Sequence, residues 1–240
     1  MSKAIKGIIT GEEESVNKKK PCVALAVIMI LLISVSGKAQ DQETPYVGVN
    51  LSLFNSVITD NFTRHVNGIL NERSTFEDDY KGQFGGTYFG YKLIDTKRTF
   101  LHLQAHVNLY NKEFSTETPN STLTRKLNYS FGIDLQPGFY VQSGFICYFN
   151  FSAEAGKFEF SKTGTSTTYD MEPPVLGYGL GAGIGYQVNP SVCFKLQYQH
   201  NQYCTTEIAA TLVGIDTIID YAELSPRYDI FMLSLQYNFR

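Results

Sequence analysis

The sequence predicts an all-β fold: an eight-stranded antiparallel up-and-down transmembrane β-barrel preceded by an N-terminal signal peptide. Three observations predict it. From about residue 45 apolar and polar residues alternate with period two. The alternating segments are about ten residues long or longer, which suits a tilted membrane-spanning strand. Short turns and longer polar segments take turns in joining them, as in a barrel with short turns at one end and long loops at the other. Mean hydropathy is −0.15, far below that of a helical membrane protein, so any membrane residence belongs to strands.

The N-terminus has the three parts of an export signal. Lys18, Lys19 and Lys20 form a basic cluster, and an apolar run follows from Cys22 to Val35. Gly37 and Ala39 then stand at −3 and −1 of a cut after Ala39. The run is about 14 residues, short of the roughly 20 that a spanning helix needs. The expected organisation is a signal peptide over 1–39 and one barrel domain over 40–240. Beyond position 39, 14 basic residues face 20 acidic ones, a net charge of −6. With no basic stripe, nucleic acid is excluded as a partner. Cys147, Cys193 and Cys204 make an odd number without metal-like spacing, so neither a disulfide framework nor a metal or other cofactor is expected.

The strands follow in order. The first places Val47, Val49, Leu51 and Leu53 on one face. The second, about 84–93, sets Thr87, Phe89, Tyr91 and Leu93 against Gly86, Tyr88, Gly90 and Lys92. The third, 99–110, sets Leu101 to Leu109 against His102, Gln104, His106 and Asn108. In the fourth, about 127–141, Leu127, Tyr129, Phe131, Ile133, Leu135, Phe139 and Val141 share the apolar face. The fifth, 144–156, opposes Phe145, Cys147, Phe149 and Phe151 to Tyr148, Asn150, Ser152 and Glu154. The sixth, 176–188, opposes apolar residues to five glycines, Gly177 to Gly185. The seventh, 192–202, carries Lys195, Gln197 and Gln199 on its polar face. The eighth, 228–239, alternates Phe231, Leu233, Leu235, Tyr237 and Phe239 with Met232, Ser234, Gln236 and Asn238. Long polar loops are expected over about 55–82, 111–125, 157–174 and 203–226.

Alternation alone leaves the orientation open, since a soluble barrel would point its apolar face inward. The glycine row lies on the polar face. Facing bulk water it would weaken a strand for no gain, whereas inside a narrow barrel it makes room for side chains opposite. Tyr91, Phe139, Phe145, Tyr186, Phe194, Tyr237 and Phe239 gather on the apolar face beside the short turns, as an interfacial aromatic ring would. The last strand brings apolar residues at every second position up to Phe239, one residue before the end.

With its C-terminal strand and the Gly177–Gly185 pattern, the chain resembles the small outer-membrane β-barrel family, over about residues 45–240. That family includes the barrel of outer membrane protein A and related adhesion, resistance and opacity-type proteins. The resemblance implies the outer membrane of a Gram-negative bacterium. The lipid and lipopolysaccharide of that membrane surround the barrel, and it stands as a monomer. It also implies that Phe231, Leu233, Leu235, Tyr237 and Phe239 form an assembly signal for the barrel-assembly machinery, with Arg240 as a departure from a terminal Phe.

Little in the sequence points to chemistry. GYGLGAGIGY has phosphate-loop-like glycines, but they alternate within a strand rather than open a helix. His200 suits the lipid-facing His of a lipid A–modifying barrel enzyme, a type found among small barrels of this membrane; no Ser follows it locally. On the polar face Lys92, His102, His106, Asp134, Glu154 and Lys195 are expected to form an interior network that plugs the barrel, because unpaired charges there are costly. A narrow pore along the same residues is the alternative. The remaining capacity to act is in the external loops, which offer a structural or adhesion-like role toward a surface ligand. The last loop, IAATLVGIDTIIDYAEL, is unusually apolar and suggests a hairpin around Gly214.

Overall fold

The computed structural model describes residues 44–110, 113–118, 121–141, 144–164, 169–171, 174–213 and 217–239. The expected signal peptide over 1–39 and the hairpin tip at Gly214 lie outside the described residues.

Among the described residues eleven strand segments follow one another. They are β1 (Thr44–Val66), β2 (Ile69–Asp95), β3 (Thr99–Tyr110), β4 (Glu113–Thr118), β5 (Ser121–Tyr140) and β6 (Phe145–Gly164). Then come β7 (Tyr169–Met171), β8 (Pro174–Asn189), β9 (Val192–Tyr203), β10 (Thr206–Val213) and β11 (Thr217–Asn238). They build eight barrel strands, because three strands are interrupted. β3 stops pairing with β5 at Leu109↔Tyr129, and β4 resumes at Glu113↔Lys126. β9 stops on β11 at Gln202↔Arg227, and β10 resumes at Thr206↔Leu224. β8 and β7 share β6 in the same way. All neighbours are antiparallel, and the ladder between the first strand and the last, Tyr46↔Asn238 to Val66↔Ile218, closes the sheet.

Exposure settles which face is outside. Leu51, Leu109 and Leu176 are 63–64% exposed, while Ser130, Gln136 and Asn150 are at most 1% exposed. A soluble core would be the reverse; here the apolar wall faces lipid. All seven aromatics expected at the short-turn rim are exposed. They form that interfacial ring, and the tyrosines Tyr129 and Tyr198 face outward higher on the wall.

The glycine row faces the interior. A Cβ on Gly183 would lie 2.4 Å from the ring of Tyr148, and one on Gly181 would lie 2.5 Å from the Tyr198 carbonyl oxygen. The tyrosine and its neighbours occupy the space that side chains on β8 would need.

Two expectations change. Leu127, placed by alternation on the outer face, is buried inside at 3% exposure. A register shift between Leu127 and Tyr129 inserts one residue and reverses the parity above it. The expected long loops are, over the described residues, continued strands. The clearest is 55–82, where β1 and β2 run on to a two-residue turn at Asn67 (φ 52°) and Gly68 (φ 80°). An Asn-Gly pair adopts positive φ at both positions, and the twist of such a turn matches the strands it joins.

Above the membrane the sheet therefore splits into two walls. One is β2–β1–β11–β10; the other is β4–β5–β6–β7. β2 pairs with β3 only from Phe84↔Tyr110 downward, and β8 pairs with β9 only up to Gly177↔Tyr203.

Gly181→Val is expected to cost on the order of 1–3 kcal/mol or to block closure. The readout is a lower temperature for conversion of the folded to the unfolded band on unheated gels. Gly85→Ala, whose added Cβ has its nearest neighbour at 3.7 Å, leaves that temperature unchanged.

Candidate functional site

The interior is layered, and each layer follows from which residues the inward parity brings to one height. At the short-turn end Asp95 ties two strands together. It accepts from Lys92 Nζ at 3.2 Å and from the Tyr140 hydroxyl at 2.6 Å. Just inside, Phe100, Ile146, Tyr148 and Cys193 form a buried apolar cluster with Tyr140 against it. Cys193 and the outward Cys147 are free thiols.

Above that layer sits Lys195. Its ammonium donates to Gln136 Oε1 at 3.1 Å. It also lies 5.2 Å from the ring centre of Tyr148, 5.6 Å from Tyr46 and 6.0 Å from Tyr88. Three aromatic faces thus hold a cation in place of a carboxylate. His102 pairs in register with Lys92. Its ring packs on Phe100 at 4.4 Å and on Tyr46 at 5.4 Å, and neither ring nitrogen has a hydrogen-bond partner among the described residues.

The middle layer is polar and densely bonded. His106 Nδ1 is 3.0 Å from Asp134 Oδ2, and its Nε2 is 3.4 Å from Glu154 Oε1. The second contact is an ion-pair distance without hydrogen-bond alignment. Gln104 donates to Asp134 at 2.7 Å. Glu154 accepts from the Tyr203 hydroxyl at 2.8 Å, from Asn201 at 2.9 Å and from Gln199 at 3.3 Å. Two buried carboxylates thereby share one histidine and several neutral donors, the arrangement that makes buried charge tolerable.

Over this layer lies a second apolar one. Phe54, Phe84, Tyr110, Phe158, Tyr203 and Tyr228 pack ring on ring within the outer half of the barrel. Arg125, 1% exposed, crosses at its top and donates to the Tyr80 hydroxyl at 2.7 Å, linking β5 to β2. Phe114 of β4 stacks on Tyr80 at 4.4 Å beside it.

The six interior residues named from sequence are thus all buried, but they do not form one cluster. His106, Asp134 and Glu154 come together; Lys92 pairs at the rim, Lys195 sits among tyrosines, and His102 packs between rings. The aromatic outer layer, the tyrosine cage and Arg125 were missed. Their signal was the inward parity itself: Phe54, Ile58, Phe84 and Tyr110 all continue the inward set of their strands. The five C-terminal residues Phe231, Leu233, Leu235, Tyr237 and Phe239 all face outward.

His200 lies on the outer wall where that wall turns from apolar to polar. Its Nδ1 is 2.8 Å from Asp229 Oδ1, which also accepts from the Tyr198 hydroxyl at 2.6 Å. Asp229 stands opposite His200 in the β9–β11 register. A carboxylate orients this histidine, and the hydroxyl in the group is a phenol donating to that carboxylate rather than an activated nucleophile.

A closed barrel with a lipid-facing apolar wall, rim aromatics and a filled interior defines a small transmembrane barrel of the Gram-negative outer membrane. The chain belongs to the outer membrane protein beta-barrel domain family, whose model matches residues 25–239. No curated protein matches the sequence. Among solved structures it is similar to the outer membrane protease OmpT of Escherichia coli, with a TM-score of 0.51 and 8% identity over 85% of this chain and 100% of that one. It is similar to the outer membrane protein OprG of Pseudomonas aeruginosa, at TM-score 0.50 and 14% identity, with the same coverage. A third is Ail, the attachment invasion locus protein of Yersinia pestis, crystallised with the heparin analogue sucrose octasulfate. It has a TM-score of 0.45 and 11% identity over 83% of this chain and 100% of that one.

Asp134→Leu removes the anion that His106 and Gln104 address and is expected to destabilise the barrel by about 3–5 kcal/mol in urea titrations in detergent. Lys195→Met strands no carboxylate in contact with it. It is expected to change stability by less than about 1.5 kcal/mol in the same titration.

Proposed function

We propose that the protein is a closed, non-catalytic barrel, single in its own membrane, whose role is structural and surface-interacting. Its two external walls act, and its interior does not. The observation that carries this reading is the layering: the His106–Asp134–Glu154 centre lies between an inner apolar cluster and an outer aromatic one. An ion entering from either end would have to shed its water against rings and alkyl chains, which opposes conduction. Against the pore alternative stand those two apolar layers. The lipid-modifying alternative gains Asp229 as a partner for His200, and the hydroxyl on that carboxylate is the phenol of Tyr198.

Outward contacts complete the proposal. Leu51, Phe131, Phe149 and their row meet the lipid and lipopolysaccharide of the outer membrane. The outward row from Phe231 to Phe239 offers the barrel-assembly machinery a continuous apolar strand face to read. The walls present the surface-ligand site.

In planar bilayers the wild type is expected to give no stable, reproducible conductance; a stable step that disappears in Asp134→Leu would establish the pore instead. Replacing 59–77 by an Asn-Gly turn retains the Ile58↔Asp78 register. The variant is expected to keep its heat-dependent gel shift while cells displaying it lose binding to the surfaces the wild type binds.

A further inference from the structure

The free edge of β10 is the feature that the surface-interaction reading leaves unused. β10 pairs with β11 from Thr206↔Leu224 to Val213↔Thr217. On its other flank no described strand pairs with it: β8 leaves β9 at Gly177↔Tyr203, and β7 is bonded to β6. Among the described residues, the eight residues of β10, about 26 Å of backbone, thus leave one row of amide and carbonyl groups without a strand partner on the side of the slot between the walls.

An exposed edge is ordinarily guarded by charge, proline, a bulge or brevity. The other edges of the walls are guarded. β2 carries Glu72, Arg73, Glu77, Asp78, Asp79 and Lys81 along its unpaired reach. β4 carries Glu113 and Glu117, and β7 has three residues, one of them Asp170. β10 carries one charge, Glu207, next to its start; beyond it, from Ile208 to Val213, the sequence IAATLV has no charge, no proline and no glycine, and Ile, Thr and Val favour extended backbone. This is the composition of a strand that accepts another strand.

We propose that the β10 edge pairs antiparallel with β10 of a second copy of this chain standing in an apposed outer membrane, so that the protein holds two cell surfaces together. The inference rests on the surface-interaction reading above and names its partner. Charge and geometry together select that occupant. A twofold antiparallel pair sets a segment against itself, so every charge in it meets a like charge nearby, which destabilises a ladder. IAATLV has none to oppose, whereas the β2 edge would bring its acidic run against its own copy. β10 also runs away from the membrane in every copy. Two copies in one membrane offer only parallel edges, and barrel strands tilted about 35–45° would cross where two convex walls touch. Turning one copy over about an axis in the membrane plane reverses the strand and preserves the tilt, which aligns the two edges over their length.

The test uses the full mature chain in two populations of lipid vesicles, each with its own dye, followed by co-sedimentation. Wild-type vesicles are expected to cluster only when both populations carry the protein. Ala209→Lys with Ala210→Lys puts two adjacent cations into β10 and is expected to reduce clustering at least about tenfold. Thr116→Lys on β4 leaves clustering unchanged, and the gel shift of each variant verifies that its barrel is closed. Failure of the wild type to cluster overturns the proposal, as does clustering that survives the β10 lysines. Clustering when one population lacks the protein assigns the edge to lipid, and also overturns it. If wild-type vesicles stay apart but displaying cells still bind another surface, this inference falls and the surface-interaction reading stands. Conductance without any binding overturns both.

Discussion

Hydrocarbon offers a peptide group nothing to bond with. Every backbone amide and carbonyl in the spanning region must therefore find its partner within the chain, and a sheet does so only by closing. The antiparallel register of β1 with β11 is where this chain meets the requirement. Closure in turn fixes what each residue faces. Once the ring is shut, odd and even positions are assigned to lipid or interior around the whole barrel, and a single inserted residue, as at Leu127–Tyr129, moves a side chain from one solvent to the other.

The narrow interior imposes the second set of choices. Bulky inward side chains need empty positions opposite them, which the β8 glycines supply to Tyr148, Gln199 and Asn201. Charges brought inward must be met there. The chain does so in four different ways: carboxylates around a histidine, a rim aspartate for Lys92, aromatic faces for Lys195 and a tyrosine hydroxyl for Arg125. The polar centre is then shielded at both ends by rings and alkyl chains, so its hydrogen bonds work in a low-dielectric setting where each is stronger.

Strand number, the facing of each segment within the membrane and the rim aromatics were legible in the sequence. Each depends only on a residue and its second neighbours, and the lipid-facing wall follows the same parity for tens of residues. The upper strands were read as loops because their composition is polar. Polarity there reports water on the faces, not the absence of a ladder, and Asn67-Gly68 was the local sign that a tight hairpin ends them. Leu127 was misplaced because a bulge leaves no mark in an alternation of hydrophobicity. The aromatic outer layer escaped because inward positions were expected to be polar throughout. Asp229 as the companion of His200 needed the β9–β11 register, which pairs residues 29 apart. The division of the six interior residues into separate environments likewise depends on side-chain reach across the barrel, which no count along the strand supplies.

The seam between β1 and β11 also has a meaning in time. Of the described strands, the one that completes the ring is the last to be synthesised, and its partner is the first. No intermediate lacking β11 can satisfy both of its edges, so insertion cannot proceed strand by strand as the chain arrives. The polypeptide has to travel unfolded and enter the bilayer as a nearly finished ring. The same arrangement makes departure slow, since opening the barrel means parting its longest-range ladder in a medium that offers nothing in exchange.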